Sequence, residues 1–335
     1  MTSCLTFDSA SLSNNKLQPS DRAFHDWYRF VLSYPPHLVR HYVNQFGLMD
    51  DATLLDPFCG TGTTIVEAKK NGLSSVGVEA VPMSHFACRT KVQWNVDLEA
   101  LASALQQVIA LAQPQMSAER LLKLTPEQQA IVVKNSICDR PLHQCLVLRN
   151  AIATVSHQPV RDLFNLALAD VAVHAASNLK FGPEVGIRRR KRLDTPVLSS
   201  WQAKVRQMAQ DIADYSTLVA VPTRCHRGDA RGLRSLLAPQ SIDAVITSPP
   251  YPNEKDYTRT TRLESVLLGF LSNKQELRAF KQSLIRSNTR NVYKVDDDDL
   301  VLRSQSQVKA LAEAIEARRI ALNKTSGFER LYHRV

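Results

Sequence analysis

The sequence predicts an α/β fold in which a parallel sheet is interrupted by a large, mostly helical insertion. Residues 52–79 have the pattern of a strand, a glycine-containing turn, a helix and a second strand. Residues 98–215 show helical periodicity with few Gly or Pro interruptions, and the strand pattern returns at 222–246. Strands that alternate with helices are typical of a parallel sheet with crossover connections.

The individual elements follow from local patterns. Leu38, Val39, Tyr42, Val43 and Phe46 form one apolar stripe after Pro35 and Pro36, which predicts a helix. Four strands are predicted at 52–56, 75–79, 222–226 and 242–246, the last as a strong buried strand. Beyond Tyr251 we expect helices near 259–273, 275–286 and 298–323, with at most one short strand at 291–295.

The composition indicates a globular protein of a reducing compartment. Of the 335 residues, 44% are hydrophobic and 22% charged, which is ordinary for a soluble domain. The net charge of +10 suits a polyanionic partner. The six cysteines contain no Cys-x-x-Cys pair, so neither a disulfide framework nor a metal site is expected. A signal segment and a run of about eighteen apolar residues are both missing, which predicts a cytoplasmic protein without a membrane partner.

The turn after the first strand has the sequence Asp56-Pro-Phe-Cys-Gly-Thr-Gly62. A strand, a glycine turn and a helix N-terminus present backbone N–H groups and a partial positive charge to a carboxylate or an anion. Gly60 and Gly62 allow the backbone to approach such a ligand closely. Ile65 replaces the third glycine of a dinucleotide fingerprint, and Glu79 ends the second strand where an acidic residue accepts ribose hydroxyls.

A second informative stretch is Ile242-Asp-Ala-Val-Ile-Thr-Ser-Pro-Pro-Tyr251. Two prolines end the strand abruptly and remove backbone donors, which leaves the Ser248 hydroxyl and the carbonyls around Pro249 and Pro250 as acceptors. Such acceptors can hold the hydrogens of an exocyclic amine and stabilise the positive charge that develops on its nitrogen. Tyr251 offers a ring on which a flipped base can stack.

Together the two stretches resemble the first and fourth motifs of the S-adenosylmethionine-dependent DNA amino-methyltransferases, which act on cytosine N4 or adenine N6. The resemblance covers residues 25–90 and 222–268 and implies a Rossmann-like methyltransferase sheet, S-adenosyl-L-methionine as cofactor and DNA as partner. It implies that Asp56 faces the methionine amine, that the turn with Thr63 binds its carboxylate, and that Asp229 holds the adenine amine. The cofactor-binding motif residues are then Asp56, Pro57, Phe58, Gly60, Gly62 and Thr63.

The same resemblance refines the expected target and mechanism. Ser248 in the first position of Ser-Pro-Pro-Tyr favours cytosine N4, although some adenine enzymes share it. Tyr34-Pro-Pro36 resembles a further motif that packs beside the methionine. Methyl transfer is expected to be direct, so Cys59 is not a nucleophile. Restriction–modification or orphan methylation is the biological context that the family implies.

Basic residues outside the motifs are candidates for contacts with DNA phosphates. A run of five cations lies in the insertion, and two arginines follow the catalytic turn: Arg188, Arg189, Arg190, Lys191, Arg192, Arg259 and Arg262. A solvated basic loop and an ordinary helix face are the alternatives. We divide the chain into a flexible tail (1–24), a cofactor-binding part (25–97), a helical insertion for target recognition (98–215) and a catalytic part with a helical C-terminal segment (216–335).

The end of the sequence leaves several interpretations open. Family members continue after the catalytic turn with further strands, whereas residues 252–335 read as helices. The catalytic strand would then lie at a sheet edge. A fragment, an inactive copy, and one half of a split enzyme completed by a second polypeptide all fit. Methylation of RNA or protein amines and non-catalytic binding of nucleic acid are the competing functions.

Overall fold

A computed structural model describes residues 16–28, 30, 33–182, 185–251, 256–285 and 305–323. The predicted strand at 291–295 and parts of the tail and last helix lie outside these residues. The strands are β1 (Thr53–Asp56), β2 (Ser74–Glu79), β3 (Leu179–Lys180), β4 (Gly186–Ile187), β5 (Thr223–Arg227) and β6 (Ala244–Val245).

Twelve α-helices occur in this part of the chain. They are α1 (Pro36–Gln45), α2 (Thr63–Lys70), α3 (Pro82–Val92), α4 (Leu98–Ala112), α5 (Pro126–Gln129), α6 (Asp139–Ile152), α7 (Gln158–Val171), α8 (Val197–Asp214), α9 (Tyr257–Thr260), α10 (Arg262–Leu267), α11 (Lys274–Ser283) and α12 (Ser306–Ala321). A π-helical turn over Ala172–Ala176 follows α7. None of the helices in the described ranges is long and apolar enough to cross a membrane.

The main sheet confirms the predicted α/β class. Its strand order is β5-β2-β1-β6, and every neighbouring pair is parallel. β1 and β2 pair over four residues, and α2, which connects them, packs against both. All four strands therefore end at the same edge of the sheet, where ligands of parallel α/β sheets bind. β3 and β4 form a separate antiparallel pair that was not predicted.

The predicted helical insertion over 98–215, from here on called the helical block, lies in the connection between β2 and β5, which are neighbours in the sheet. Its helices share one continuous apolar core with α2 and α3, because Ile65 and Met83 belong to the same buried cluster as Leu101, Phe164 and Trp201. Phe164 and Trp201 meet edge to face, with 5.2 Å between their ring centroids. The insertion is thus built into the core of the sheet domain.

The last core strand differs from its prediction. The regular strand β6 comprises two residues rather than 242–246, and Val245 is 51% exposed. β6 pairs only with β1 among the described strands, so one of its edges lacks a ladder partner within these residues. Hydrogen bonds from Asp243 N to Thr53 O and from Ile246 N to Leu55 O extend the contact beyond the two strand residues. The strand is therefore an exposed edge strand and not a fully buried one.

The last residues of the predicted tail (1–24) pack into the folded domain. Phe24 is fully buried and stacks on Trp94, with 4.2 Å between the ring centroids. Asp21 is also buried and accepts a hydrogen bond from Arg40 on α1. Residues 21–24 therefore belong to the folded domain, because Asp21 and Phe24 are buried in it.

A buried ionic cluster around Glu67 fastens this N-terminal segment and α1 to α2. The Glu67 carboxylate, 1% exposed, lies 2.7 Å from His25 Nε2 and 2.7 Å from Arg40 Nη1, and Lys70 Nζ lies 3.0 Å away. Burial by itself raises the pKa of Glu67, but His25, Lys70 and Arg40 together lower it to about 2. The cluster therefore keeps Glu67 ionised at neutral pH.

Replacing Glu67 by Ala should lower the free energy of unfolding by about 3–5 kcal/mol, because buried cationic partners lose their anion. Urea denaturation measures the loss. Since the pKa of Glu67 in the folded protein is depressed to about 2, the loss should be full at neutral pH and shrink as the pH falls from 4.5 toward 2. Glu99→Ala on the exposed face of α4 is the control, with a change below about 0.5 kcal/mol. Equal stability of the two variants would contradict the role of the cluster.

Candidate active site

A cavity of about 560 Å³ opens at the carboxyl ends of the four sheet strands. This volume is within the usual range of small-molecule sites. Its wall combines the turn after β1, the end of β2, the residues after β5 and the Ser-Pro-Pro-Tyr turn after β6. The two motifs are about 190 residues apart in sequence, and the sheet brings them to one site.

The turn after β1 has the backbone conformation that its glycines predict. Gly60 has φ +52° and Gly62 has φ +93°, values in the left-handed region that favours glycine. A Cβ at Gly60 would meet nothing within 4 Å, whereas one at Gly62 would lie 2.8 Å from Cys88 Sγ. The cavity is thus open beside Gly60, and Gly62 packs tightly against α3.

The N-terminus of α2 lies behind this turn. Thr63 is its first residue and lines the cavity, and the preceding Gly62 has no side chain to cap the helix. The first N–H groups of a helix lack intrahelical partners, so they are available to a carboxylate in the cavity. Pro57, Phe58 and Thr61 complete this wall.

Glu79 lies at the end of β2 and lines the cavity. Its carboxylate accepts hydrogen bonds from Gly60 N at 2.8 Å and Val81 N at 2.7 Å. Burial raises the pKa of Glu79 to about 7, although these two N–H donors oppose the shift. Glu79 therefore fixes the glycine turn in addition to facing the cavity.

Asp56, which the resemblance places beside the methionine amine, lies behind the cavity wall. Its side chain is fully buried. Thr247 Oγ1 donates to Asp56 Oδ1 at 2.6 Å, and Tyr34 Oη donates to Asp56 Oδ2 at 3.1 Å. Phe58 N also donates to Oδ1, at 3.1 Å. These internal donors satisfy both carboxylate oxygens, which explains why the side chain points inward.

This hydrogen-bond network joins the glycine turn after β1 to the Ser-Pro-Pro-Tyr turn. Thr64 Oγ1 lies 3.2 Å from Ile246 O and in contact with Tyr34 Oη, and its single proton serves one of these acceptors at a time. Burial raises the pKa of Asp56, and hydrogen bonds from Thr247 and Thr64 limit the shift. Thr247 was not singled out from the sequence; its position directly before the motif was the available signal.

The Ser-Pro-Pro-Tyr turn borders the cavity with all four residues. Tyr251 is 60% exposed, so one side of its ring is accessible from outside. Its backbone N–H donates to Tyr257 Oη at 3.4 Å, which links the turn to α9. Ser283, the last residue of α11, and the following Leu284 and Ile285 also line the cavity and were not predicted as site residues.

Asp229 also borders the cavity, two residues after β5. Its carboxylate accepts from Arg231 N at 2.8 Å and forms a two-pronged ion pair with the Arg231 guanidinium. Burial raises the pKa of Asp229, but the hydrogen bonds from Arg231 outweigh it and lower the pKa below its ordinary value. Asp229 is consequently an ionised acceptor that already has a cationic partner.

The basic run after β4 divides into anchoring and exposed residues. Arg188 Nε donates to Leu179 O at 3.2 Å, and Arg192 Nη1 donates to His174 O and Ala175 O at 2.5 and 2.6 Å. Between these anchors, Arg189, Arg190 and Lys191 are exposed. The loop thus presents three cations while its ends are fixed to the helical block.

The position of Arg262 contradicts the prediction that it contacts a DNA phosphate. Its side chain is buried, and the guanidinium donates to Thr258 O, to Thr258 Oγ1 and to Ile131 O. It therefore joins α9 and α10 to the helical block and is not accessible to a DNA phosphate. Arg259, three residues earlier, is half-buried.

Comparison with known proteins points to one family. A sequence model of N6/N4 methylases, described as DNA methylase, matches residues 9–84. The Type II methyltransferase M.BsoBI of Geobacillus stearothermophilus is 24% identical over 305 residues, which cover 82% of this chain and 58% of that protein. The Type II methyltransferases M.AvaI of Nostoc sp. and of Anabaena variabilis are each 21% identical over 291 residues, or 77% of this chain and 56% of theirs.

The chain therefore spans little more than half the length of these relatives. No solved structure matches it. The matched family segment contains α1, the glycine turn, Glu79 and the start of α3, which form much of one side of the cavity.

Proposed function

We propose, since this chain belongs to the DNA amino-methyltransferase family, that it methylates an exocyclic base amine in DNA, with cytosine N4 as the target. The single observation that supports this most strongly is the common cavity of the two motifs. Backbone donors and Glu79 line one part of it, and Ser248 with the Pro249 turn lines another. A methyl donor and an acceptor amine can therefore meet in the same site.

The residues of the cavity fit S-adenosylmethionine. The N–H groups at the start of α2 suit its carboxylate, the open space beside Gly60 admits the ligand backbone, and Glu79 can accept ribose hydroxyls. Asp229 would accept from the adenine amine, as the family resemblance implies. The cofactor supplies an electrophilic methyl group on a sulfonium.

The catalytic turn acts on the target amine. In this proposal the Ser248 hydroxyl and the carbonyls near Pro249, at the border of the cavity, would accept the amine hydrogens. This would favour a pyramidal nitrogen with an available lone pair. Tyr251, exposed at the cavity rim, would stack on a base rotated out of the duplex. Thr247 and Asp56 act as positioning residues, because they tie this turn to the cofactor turn.

The exposed loop cations would contact the DNA backbone. Arg189, Arg190 and Lys191 project from a loop fixed at both ends, so their charge is presented at a defined place. Phosphate contacts of this kind position DNA without reading its sequence. We assign target recognition to the helical block that carries the loop.

Methyl-labelled S-adenosylmethionine offered with duplex DNA, tRNA and rRNA tests the proposed reaction. We expect label in DNA and N4-methylcytosine after digestion and mass spectrometry. N6-methyladenine would overturn the choice of cytosine, and label confined to RNA would overturn the substrate. Failure to bind S-adenosylmethionine in calorimetry would instead favour a non-catalytic nucleic-acid-binding protein.

Ser248→Ala should reduce kcat by about 10²-fold or more, because it removes an acceptor for the charge that develops on the amine. Its affinity for S-adenosylmethionine should stay unchanged. Cys59→Ala should retain activity within about tenfold, since direct transfer needs no covalent intermediate. Single-turnover methylation of DNA measures both variants. Equal loss in the two variants would contradict direct transfer.

The affinity for S-adenosylmethionine should fall as the pH is lowered through about 7, where Glu79 becomes protonated. A protonated carboxyl loses acceptor capacity for ribose hydroxyls, and one linked proton weakens binding by up to about tenfold per pH unit. Calorimetry between pH 8 and 6 measures the dependence. Glu79→Gln should bind S-adenosylmethionine more weakly at pH 8 and should lack the pH dependence that comes from Glu79. Any pH dependence that comes from titration of the ligand itself is common to both proteins. An unchanged profile in Glu79→Gln would refute the role of Glu79.

Replacing both Arg189 and Arg190 by Ala should weaken binding to DNA of any sequence. Each lost phosphate contact should lower the slope of log affinity against log salt concentration by about one. Fluorescence anisotropy with a labelled duplex at several salt concentrations measures this. The control replaces Lys309 and Arg318 by Ala, two exposed cations on α12. If the control weakened binding equally, net charge and not the position of the loop would explain the effect.

A further inference from the structure

Three cysteines from distant parts of the sequence meet directly behind the glycine turn. Cys59 belongs to the turn, Cys88 to α3 and Cys225 to β5. Cys59 Sγ lies 3.8 Å from Cys88 Sγ and 3.8 Å from Cys225 Sγ, and all three sulfur atoms lie within 4.8 Å of one another. Cys59 and Cys88 are buried and Cys225 is partly buried. Three thiols thus converge on one point in the core.

The triangle of sulfur atoms has the dimensions of a metal site. An ion equidistant from the three atoms would lie about 2.2–2.5 Å from each, which matches metal–thiolate bonds such as Zn–S at about 2.3 Å. The sulfur atoms are already close enough that such an ion requires little movement of the backbone. The donor set consists of sulfur alone.

The surrounding backbone keeps the thiols together. A Cβ at Gly62 would lie 2.8 Å from Cys88 Sγ, and a Cβ at Gly77 would lie 2.8 Å from Cys59 Sγ. Both glycines therefore leave the room that the sulfur atoms occupy.

We propose that Cys59, Cys88 and Cys225 form a three-thiolate site for a soft metal ion, namely Cu(I). Thiolate ligands select Cu(I), Zn²⁺ and iron–sulfur clusters, and structural Zn²⁺ sites almost always have four ligands. The described residues provide three grouped sulfur donors here, a number that suits Cu(I) better. Binding forms three Cu–S bonds, displaces the protons that the thiols still carry and changes no oxidation state.

The site is distinct from the ligand cavity but adjoins it. Cys59 lines the cavity between Phe58 and Gly60, whereas Cys88 is fully buried on the other side of the turn. A bound ion would therefore link the glycine turn, α3 and β5. This inference does not depend on the proposed methyl transfer.

Anaerobic titration of the reduced full chain with Cu(I), in competition with a chromogenic Cu(I) chelator, tests the site. We expect one tightly bound Cu(I) per chain and an X-ray absorption spectrum with three sulfur neighbours. The triple variant Cys59→Ala/Cys88→Ala/Cys225→Ala should bind Cu(I) at least about 100-fold more weakly. The matched control Cys4→Ala/Cys138→Ala/Cys145→Ala removes the other three cysteines and should bind as the parent does.

Several results would overturn the proposal. One is a parent protein that binds Cu(I) no more tightly than the triple variant does. Another is a control variant that loses Cu(I) affinity as much as the triple variant. A third is an absorption spectrum with nitrogen or oxygen neighbours around the copper. Preferential retention of Zn²⁺ over Cu(I) would overturn the choice of metal. Circular dichroism of all three proteins reports folding, and if the cluster variant unfolds, the absorption spectrum of the parent decides by itself.

Discussion

The hydrogen bond between Thr247 Oγ1 and Asp56 Oδ1, 2.6 Å long, is the contact on which the candidate site depends most. It joins the end of β1, a central strand, to the residue that precedes the Ser-Pro-Pro-Tyr turn. β6 pairs with β1 over only two residues and has an exposed edge in the described chain, so its ladder alone would fix this turn poorly. Thr64, which donates to Ile246 O, and Tyr34, which donates to Asp56, strengthen the same junction. The buried carboxylate therefore sets the relative position of the two motifs.

A second set of contacts relates the cavity to the basic loop. Tyr28 Oη donates to Glu264 Oε1 at 2.5 Å, and Arg262 donates to Ile131 O. The helices after the Ser-Pro-Pro-Tyr turn are therefore fixed to the N-terminal segment and to the helical block. Arg192 in turn fixes the loop to the π-helical turn after α7. Tyr28 and Ile131 belong to the same apolar core as Ile65 of α2 and Met83 of α3, so these contacts connect the loop and the cavity through one packed core. A protein that must place one base of a long polyanion in a small cavity needs such a geometry.

The glycine turn has neighbours on both sides. Glu79 and the open cavity lie on one side, and Cys88 and Cys225 lie on the other. Gly62 and Gly77 permit this close packing because neither carries a side chain. Changes in the thiol cluster therefore act on the same backbone that lines the cavity.

The sequence by itself determined the α/β class, the position of the glycine turn and the two motifs that border the cavity. Those features depend on contiguous residues. The conformations of Gly60 and Gly62 and the end of the strand at Pro249 and Pro250 are local properties of the sequence. The tertiary structure decided which way side chains point and what they meet. Asp56 faces inward because Thr247 and Tyr34 donate hydrogen bonds to its carboxylate. Arg262 is buried because Thr258 and Ile131 accept hydrogen bonds from its guanidinium. The thiol cluster joins residues 29 and 166 positions apart, and only the folded sheet brings such residues together.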